Sequence, residues 1–395
     1  MLNIVIAIVL GFQIMLNLTR PIIPLFGAGL GAGTMEIGML TAAYALLPLL
    51  FAIHVGKIAD RVGDRLPVVL GTIGMTVGVA LPFALPSMWA LFVSQAVVGI
   101  SHIFINISLQ NVLGNAAAPH NRDHYFSMLS MSVAIGGVIG PVAGGYLADH
   151  FSYSFVFMAA AAVGLLPIAL AFRIPNIVMR KATAGAAGTS DTSGASASAG
   201  RESPLQLLRI PMLRKALASS ALVLYSRDIF VAYFPLLALQ LGLSASAIGW
   251  IITIQGIAMV SVRFFLSRLT ALVGRSRILL LSILLAGLAF LFVPLTGQEL
   301  ALGLLSALMG AGLGFGQPLS MTTTYNASPS TRTGEVLGLR MATNRLSQMI
   351  APLFFGLVGS WAGLASVFYI SGTFLIGGAI LTRPGRGDDA VSLAK

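Results

Sequence analysis

Apolar stretches of about twenty residues, each ended by glycine, proline or charge, recur along the whole chain. They predict helices near 3–23, 35–56, 68–85, 88–112, 125–147 and 153–173, then near 216–239, 246–267, 277–295, 299–321, 335–358 and 362–382. One bilayer crossing takes ~20 apolar residues, so the pattern reads as twelve spans in two sets of six. Only helices and closed barrels satisfy their backbone hydrogen bonds in lipid, and a barrel would show short alternating segments instead of unbroken runs. The expected class is therefore all-α integral membrane. Between the sets, Ala182 to Gly200 is almost wholly Ala, Gly, Ser and Thr, a composition that builds no core. The expected organisation is a first six-helix bundle over 1–174, a partly disordered cytoplasmic linker over 175–214, a second bundle over 215–383 and a cytoplasmic tail over 384–395.

Composition agrees with a membrane protein. The 395 residues are 57% hydrophobic and 9% charged, with a mean hydropathy of +0.92, whereas a soluble domain carries about 25% charged residues. A soluble enzyme is excluded on that ground. The formal charge of +11 could indicate nucleic-acid binding, so placement has to decide. All but three of the 23 Lys and Arg residues fall in or beside alternate inter-helix loops and the C-terminal tail. Arg20 is assigned to a loop of the opposite set, and Arg227 and Arg345 fall inside apolar segments. This is the positive-inside pattern, which makes both termini cytoplasmic and gives no reason to expect a nucleic-acid partner. The absence of cysteine removes disulfides, thiolate metal sites and cysteine nucleophiles. Met1 to Met15 lacks a basic leader, and Arg20-Pro21 stands where a small-residue cleavage site would be, so the start reads as the first span.

Sliding the chain against itself by 211 residues aligns Pro24-Leu25 with Pro235-Leu236, Leu30-Gly31 with Leu241-Gly242, and Ile37-Gly38 with Ile248-Gly249. The same gapless shift pairs Gly63 with Gly274, Gly99 with Gly310, Pro141 with Pro352, and Val156-Phe157 with Val367-Phe368. Each half is thus one six-helix pseudo-repeat in the same orientation, and a site is expected near the midplane where the halves meet.

The loop after the second span reads Gly56-Lys57-Ile58-Ala59-Asp60-Arg61-Val62-Gly63-Asp64-Arg65. It resembles the Gly-x-Leu-Ala-Asp-Arg-x-Gly-Arg-Arg signature of the major facilitator superfamily, at the same place in the topology. The resemblance implies the major facilitator fold. It also implies that Asp60 and Arg61, with Gly56, Gly63 and Arg65, stabilise the outward-facing state; Asp64 and Leu66 depart from the pattern. In the fifth span Gly136, Gly140, Pro141, Gly144 and Gly145 clear one helix face and fix a kink. They are similar to the antiporter signature of the 12-helix drug:proton antiporter group, and export is the implied direction. Many proton-coupled members carry an arginine four residues before a glycine of the fourth span. Here Gln95 precedes Gly99, which argues against coupling by that route.

Ionisable groups inside a membrane are costly and mark function by default. Asp228, beside Arg227 mid-way along the seventh span, is the single carboxylate well inside a span. Arg345 comes to a similar depth in the eleventh span at 1.5 Å per residue, so the two can pair. Asp228, Arg345, Arg227 and His102 are the proton-coupling candidates; a static ion pair holding helices together accounts for the charges equally well. Gln13, Asn17 and Arg20 share one helical face, as do Gln95, His102 and Asn106. Together with Tyr44, Tyr225, Tyr233, Trp250, Gln255, Gln317, Asn344 and Gln348 they are candidate cavity residues, although for any single one interhelical hydrogen bonding is the commoner role.

No metal-binding His-Glu-x-x-His and no phosphate-binding glycine loop occurs, so neither enzyme activity, a metal nor a cofactor is expected, and an ion gradient is the remaining energy source. The expected function is secondary active export of small drug-like molecules, coupled to protons. The alternative is uptake of an anionic metabolite bound by Arg227 and Arg345. A non-transporting sensor or scaffold would have no need of an intramembrane Asp. The expected setting is a bacterial inner membrane, with the lipid bilayer and a small-molecule substrate as partners and the chain as a monomer.

Overall fold

The computed structural model describes residues 2–116, 122–174, 210–327 and 333–381. The first half comprises α1 (Leu2–Thr19), α2 (Ile22–Gly29), α3 (Thr34–Val62), α4 (Arg65–Ala84), α5 (Met88–Ala116), α6 (Arg122–His150) and α7 (Tyr153–Ala171). The second comprises α8 (Pro211–Gln240), α9 (Ala245–Ser261), α10 (Leu266–Val273), α11 (Arg275–Phe292), α12 (Glu299–Ala327), α13 (Thr333–Ala362) and α14 (Leu364–Leu381). A short 3-10 turn, Val262–Phe265, joins α9 to α10, and α1 with α2 form one interrupted crossing. Twelve crossings result among the described residues, ten of them meeting the length and hydropathy expected of a membrane span outright. The segment 175–209 and the tail from 382 lie outside the described residues, and α8 already begins at Pro211.

The first crossing differs from the sequence expectation. It runs to Gly29, so Arg20 lies inside it and not in a loop. The interruption has a local cause: Pro21 has no N–H and cannot continue the α1 ladder. The apolar run nevertheless resumes as Ile22–Gly29, with Ile22 to Gly27 buried.

The 211-residue repeat is visible in close contacts. A side chain at Gly99 would strike the carbonyl of Tyr44, and one at its counterpart Gly310 would strike that of Gln255, itself the counterpart of Tyr44. Likewise Gly38 lies on the carbonyl of Pro352, and Gly249 on that of Pro141. Gly31 and Gly242 turn with φ of 88° and 80°, and Gly63 and Gly274 with 84° and 91°, a region that side chains resist. Within the first half α1 packs on α6 and α7, and α4 on α5; within the second α11 packs on α12 and α14, and α8 on α12 and α13. The halves meet along two seams, α3 on α13 and α6 on α9.

Candidate functional site

Asp228 sits on α8 where the halves meet and is 7% exposed. A carboxylate in such a place must be paired or hydrogen-bonded. Arg20 Nη2, from the break between α1 and α2, donates to its Oδ1 at 3.3 Å. Gln348 Nε2 of α13 donates to its Oδ2 at 2.8 Å. Arg345 Nη1 in turn donates to Gln348 Oε1 at 3.0 Å. These partners fix the amide's orientation, because reversing it would set oxygen against carboxylate and nitrogen against guanidinium. The expected Asp228–Arg345 pair is thus corrected to one relayed through Gln348, and the direct ion-pair partner is Arg20. Arg20 was legible as a member of the Gln13–Asn17 face, and its place within the first crossing corrects its assignment to a loop.

The polar chain continues into the first half. The Arg20 guanidinium lies 5.4 Å from the Tyr44 ring centroid, within cation–π range. The Tyr44 hydroxyl hydrogen-bonds His102 Nδ1 at 3.1 Å, and Asn106 Nδ2 is 2.8 Å from His102 Nε2. The result is an unbroken polar path from Asn106 on α5 through His102, Tyr44, Arg20, Asp228 and Gln348 to Arg345 on α13. A cavity of about 40 Å³ opens on it, lined by Arg20, Thr41, Tyr44, Gln95, Asp228 and Val231 among others. That volume takes a few water molecules, and the pocket is open on one side, so a larger molecule extends beyond it.

Other candidates lie elsewhere. Asn17 bonds back to Gln13, and both press on the bare face of Gly136 and Gly140. Gln255 is buried against Met309, Tyr225 stacks on Phe355, and the Tyr233 hydroxyl donates to the carbonyl of Pro352 at 2.6 Å. Asn344 accepts from Ser220, and Gln317 accepts from Arg340. Trp250 is 55% exposed and outside the cavity lining. Arg227 is half-buried, and among the described residues no group hydrogen-bonds or pairs with it.

At one end the seams are shut. Asp149, at the end of α6, accepts from the backbone N–H groups of Ala245 and Ser246 at 2.8 Å each, capping α9 across the interface. Asp149 lies in the last turn of α6, where the helix dipole does not favour an acid; that was the one signal in the sequence pointing to it. Thr253 Oγ1 donates to the carbonyl of Val138 at 3.2 Å further along. By Gly256 the helices have begun to part: Gly145 is tight against Ala245, whereas a side chain at Gly256 would stand 3.9 Å from Gly137. The glycines around Pro141 therefore serve two faces, Gly136, Gly140 and Gly144 towards α1 and Gly145 towards α9. At the opposite end Gly63 breaks the chain between α3 and α4, Arg65 is exposed, and Asp64 is 3% exposed with its carboxylate taking a bond from Asn111. The unusual acid of that loop is thus a packing contact with α5. The side chains of Asp60 and Arg61, and the surroundings of Gly56, lie outside the described residues.

A family model described as Major Facilitator Superfamily matches residues 5–219 and 216–391. The chain is 24% identical over 375 residues to multidrug resistance protein MdtG of Klebsiella pneumoniae, covering 92% of this chain and 88% of that protein. It is 28% identical over 144 residues to the class E tetracycline resistance protein of Escherichia coli, covering 36% and 34%. Among solved structures, nucleoside transporter NupG superposes with a TM-score of 0.78 at 13% identity over 97% of this chain and 99% of that one, a likeness of fold.

Proposed function

This chain belongs to the Major Facilitator Superfamily, and from that premise we propose that it is a proton-coupled exporter of small organic molecules working by alternating access. The multidrug and tetracycline resistance relatives favour export. The observation that carries the coupling is the ion pair Arg20–Asp228, because its members belong to opposite halves. While Asp228 is ionised the pair ties α1 and α2 to α8; a proton on Asp228 cancels the attraction and frees the guanidinium. Proton occupancy then changes the relative energy of the two openings, which is what lets a gradient do work on a carried molecule. The loop charges favour both termini in the cytoplasm of a bacterial cell; on that reading the end closed by Asp149 faces outward and the site opens inward. The chain acts as a monomer. A second reading, uptake of an anionic metabolite, is favoured by Arg227, unpaired among the described residues, alongside Arg345.

Proteoliposomes with an internal pH dye and an imposed proton gradient test the proposal. Lipophilic cations or zwitterions are expected to trigger proton movement that Asp228→Asn abolishes. If Asp228→Asn behaves as the parent does, the proton assignment fails; if anions alone respond, with protons moving alongside them, the uptake reading replaces export.

A further inference from the structure

The charges around the site do not balance. Among the described residues, three guanidinium groups within the spans, Arg20, Arg227 and Arg345, stand against one carboxylate, Asp228. Arg20 is committed to Asp228. Arg345 spends one donor on Gln348, out of the five its head carries. Arg227 has no partner among the described residues. It stands one helical turn before Val231 on α8; Val231 lines the cavity beside Asp228, and Arg227 lies next to that lining without being part of it. Arg263, a further cation, donates its Nε–H to the carbonyl of Gly314 at 3.2 Å. An uncompensated cation at this depth is costly, and a purely cationic molecule would meet net repulsion.

We propose that the transported molecule is a zwitterion whose acidic group pairs with Arg227, Arg345 standing second, while its cationic group takes Asp228 when the proton leaves. The acidic group follows from the Arg227 guanidinium, whose planar fork suits a carboxylate or phosphonate. The cationic group follows from exchange, so this half rests on the export reading. An anion alone beside Asp228 would strengthen the hold on its proton and carry the two together. Only a molecule that also brings a positive charge to Asp228 competes with the proton there.

A matched probe set of one shape separates the terms: para-aminomethylbenzoate, para-toluate, para-methylbenzylammonium and para-methylbenzamide, with the corresponding biphenyl series. Binding to the purified full chain is followed by calorimetry in two buffers of different ionisation enthalpy, which reports protons released or taken up. In a buffer acidic enough to protonate Asp228, the zwitterion is expected to bind at least tenfold more tightly than any relative, with proton release. Arg227→Gln should remove that tenfold advantage, and Arg227→Lys should restore part of it while serving as the folding control. The proposal is overturned if the ammonium probe binds as tightly as the zwitterion, if Arg227→Gln leaves the order unchanged, or if no zwitterion of either series binds. Ammonium binding with proton release would overturn the acidic half and leave proton-coupled export standing. Carboxylate binding with proton uptake, tighter than the zwitterion, would overturn both.

Discussion

Arg20 and Asp228 illustrate how a residue's meaning depends on a partner far away in the chain. Each alone is a charge inside a membrane; together, with Gln348, they form a satisfied unit that costs less than its parts. Asp228→Asn and Arg20→Gln are therefore expected to be non-additive in thermal unfolding of the detergent-solubilised protein. The double variant should be less destabilised than the sum of the singles by ~0.5–3 kcal/mol, the usual range for contacting groups. Additive effects would mean that the pair holds nothing. Asp228, Arg345, Gln348, Tyr44 and His102 are legible in the sequence because polar residues stand out in apolar helices. Arg20 falls near the end of the expected first span, 3–23, and counts there as a loop charge; the structure carries the crossing on to Gly29 and pairs the arginine with Asp228. Gln255 and Asn344 illustrate the opposite outcome, each spent on a neighbouring helix.

Among the elements, the α6–α9 crossing sets how the halves close. Gly249 on the carbonyl of Pro141 leaves no room for a side chain, and overfilling such a contact costs ~1–3 kcal/mol. Gly249→Leu is thus expected to favour the state open at the end carrying Asp149. Asp149→Asn should act in the same direction by about 1 kcal/mol, the scale of a charge at a helix N-terminus. The chain has no cysteine, so a single cysteine introduced at Ser246 gives a clean readout: maleimide labelling should quicken in both variants. Unchanged labelling would show that this seam does not control access. Helix positions were legible to within a few residues in the sequence, because lipid leaves so few alternatives to a long apolar helix. What the pattern could not convey was the use of each face, since the few polar residues of α9 are spread over it while one face meets α6 and another α12.

For the whole molecule, a single offset of 211 relates the two halves: it predicts paired turns at Gly31 and Gly242, paired close approaches at Gly99 and Gly310, and paired seams at Gly38 and Gly249. It could not predict where the halves stop being alike, and those departures carry the chemistry. Asn17 and Asp228 are counterparts, yet only the second is charged; Asp149 and Ser360 are counterparts, yet only the first crosses the interface.

That last difference decides how the jaw opens. Asp149 clamps α9 with two hydrogen bonds, while Ser360 bonds back to Leu357 in its own helix, leaving the α3–α13 seam joined at that level by Gly359 resting on Thr34. A clam with one edge clasped by a charge and the other held by packing alone, Gly356 and Gly359 against Thr34 and Met35, does not part evenly; it pivots about the clasp. Spin labels across Thr34 and Ser360 should therefore separate earlier and further than labels across His150 and Ser246, and Asp149→Asn should make the two edges part together.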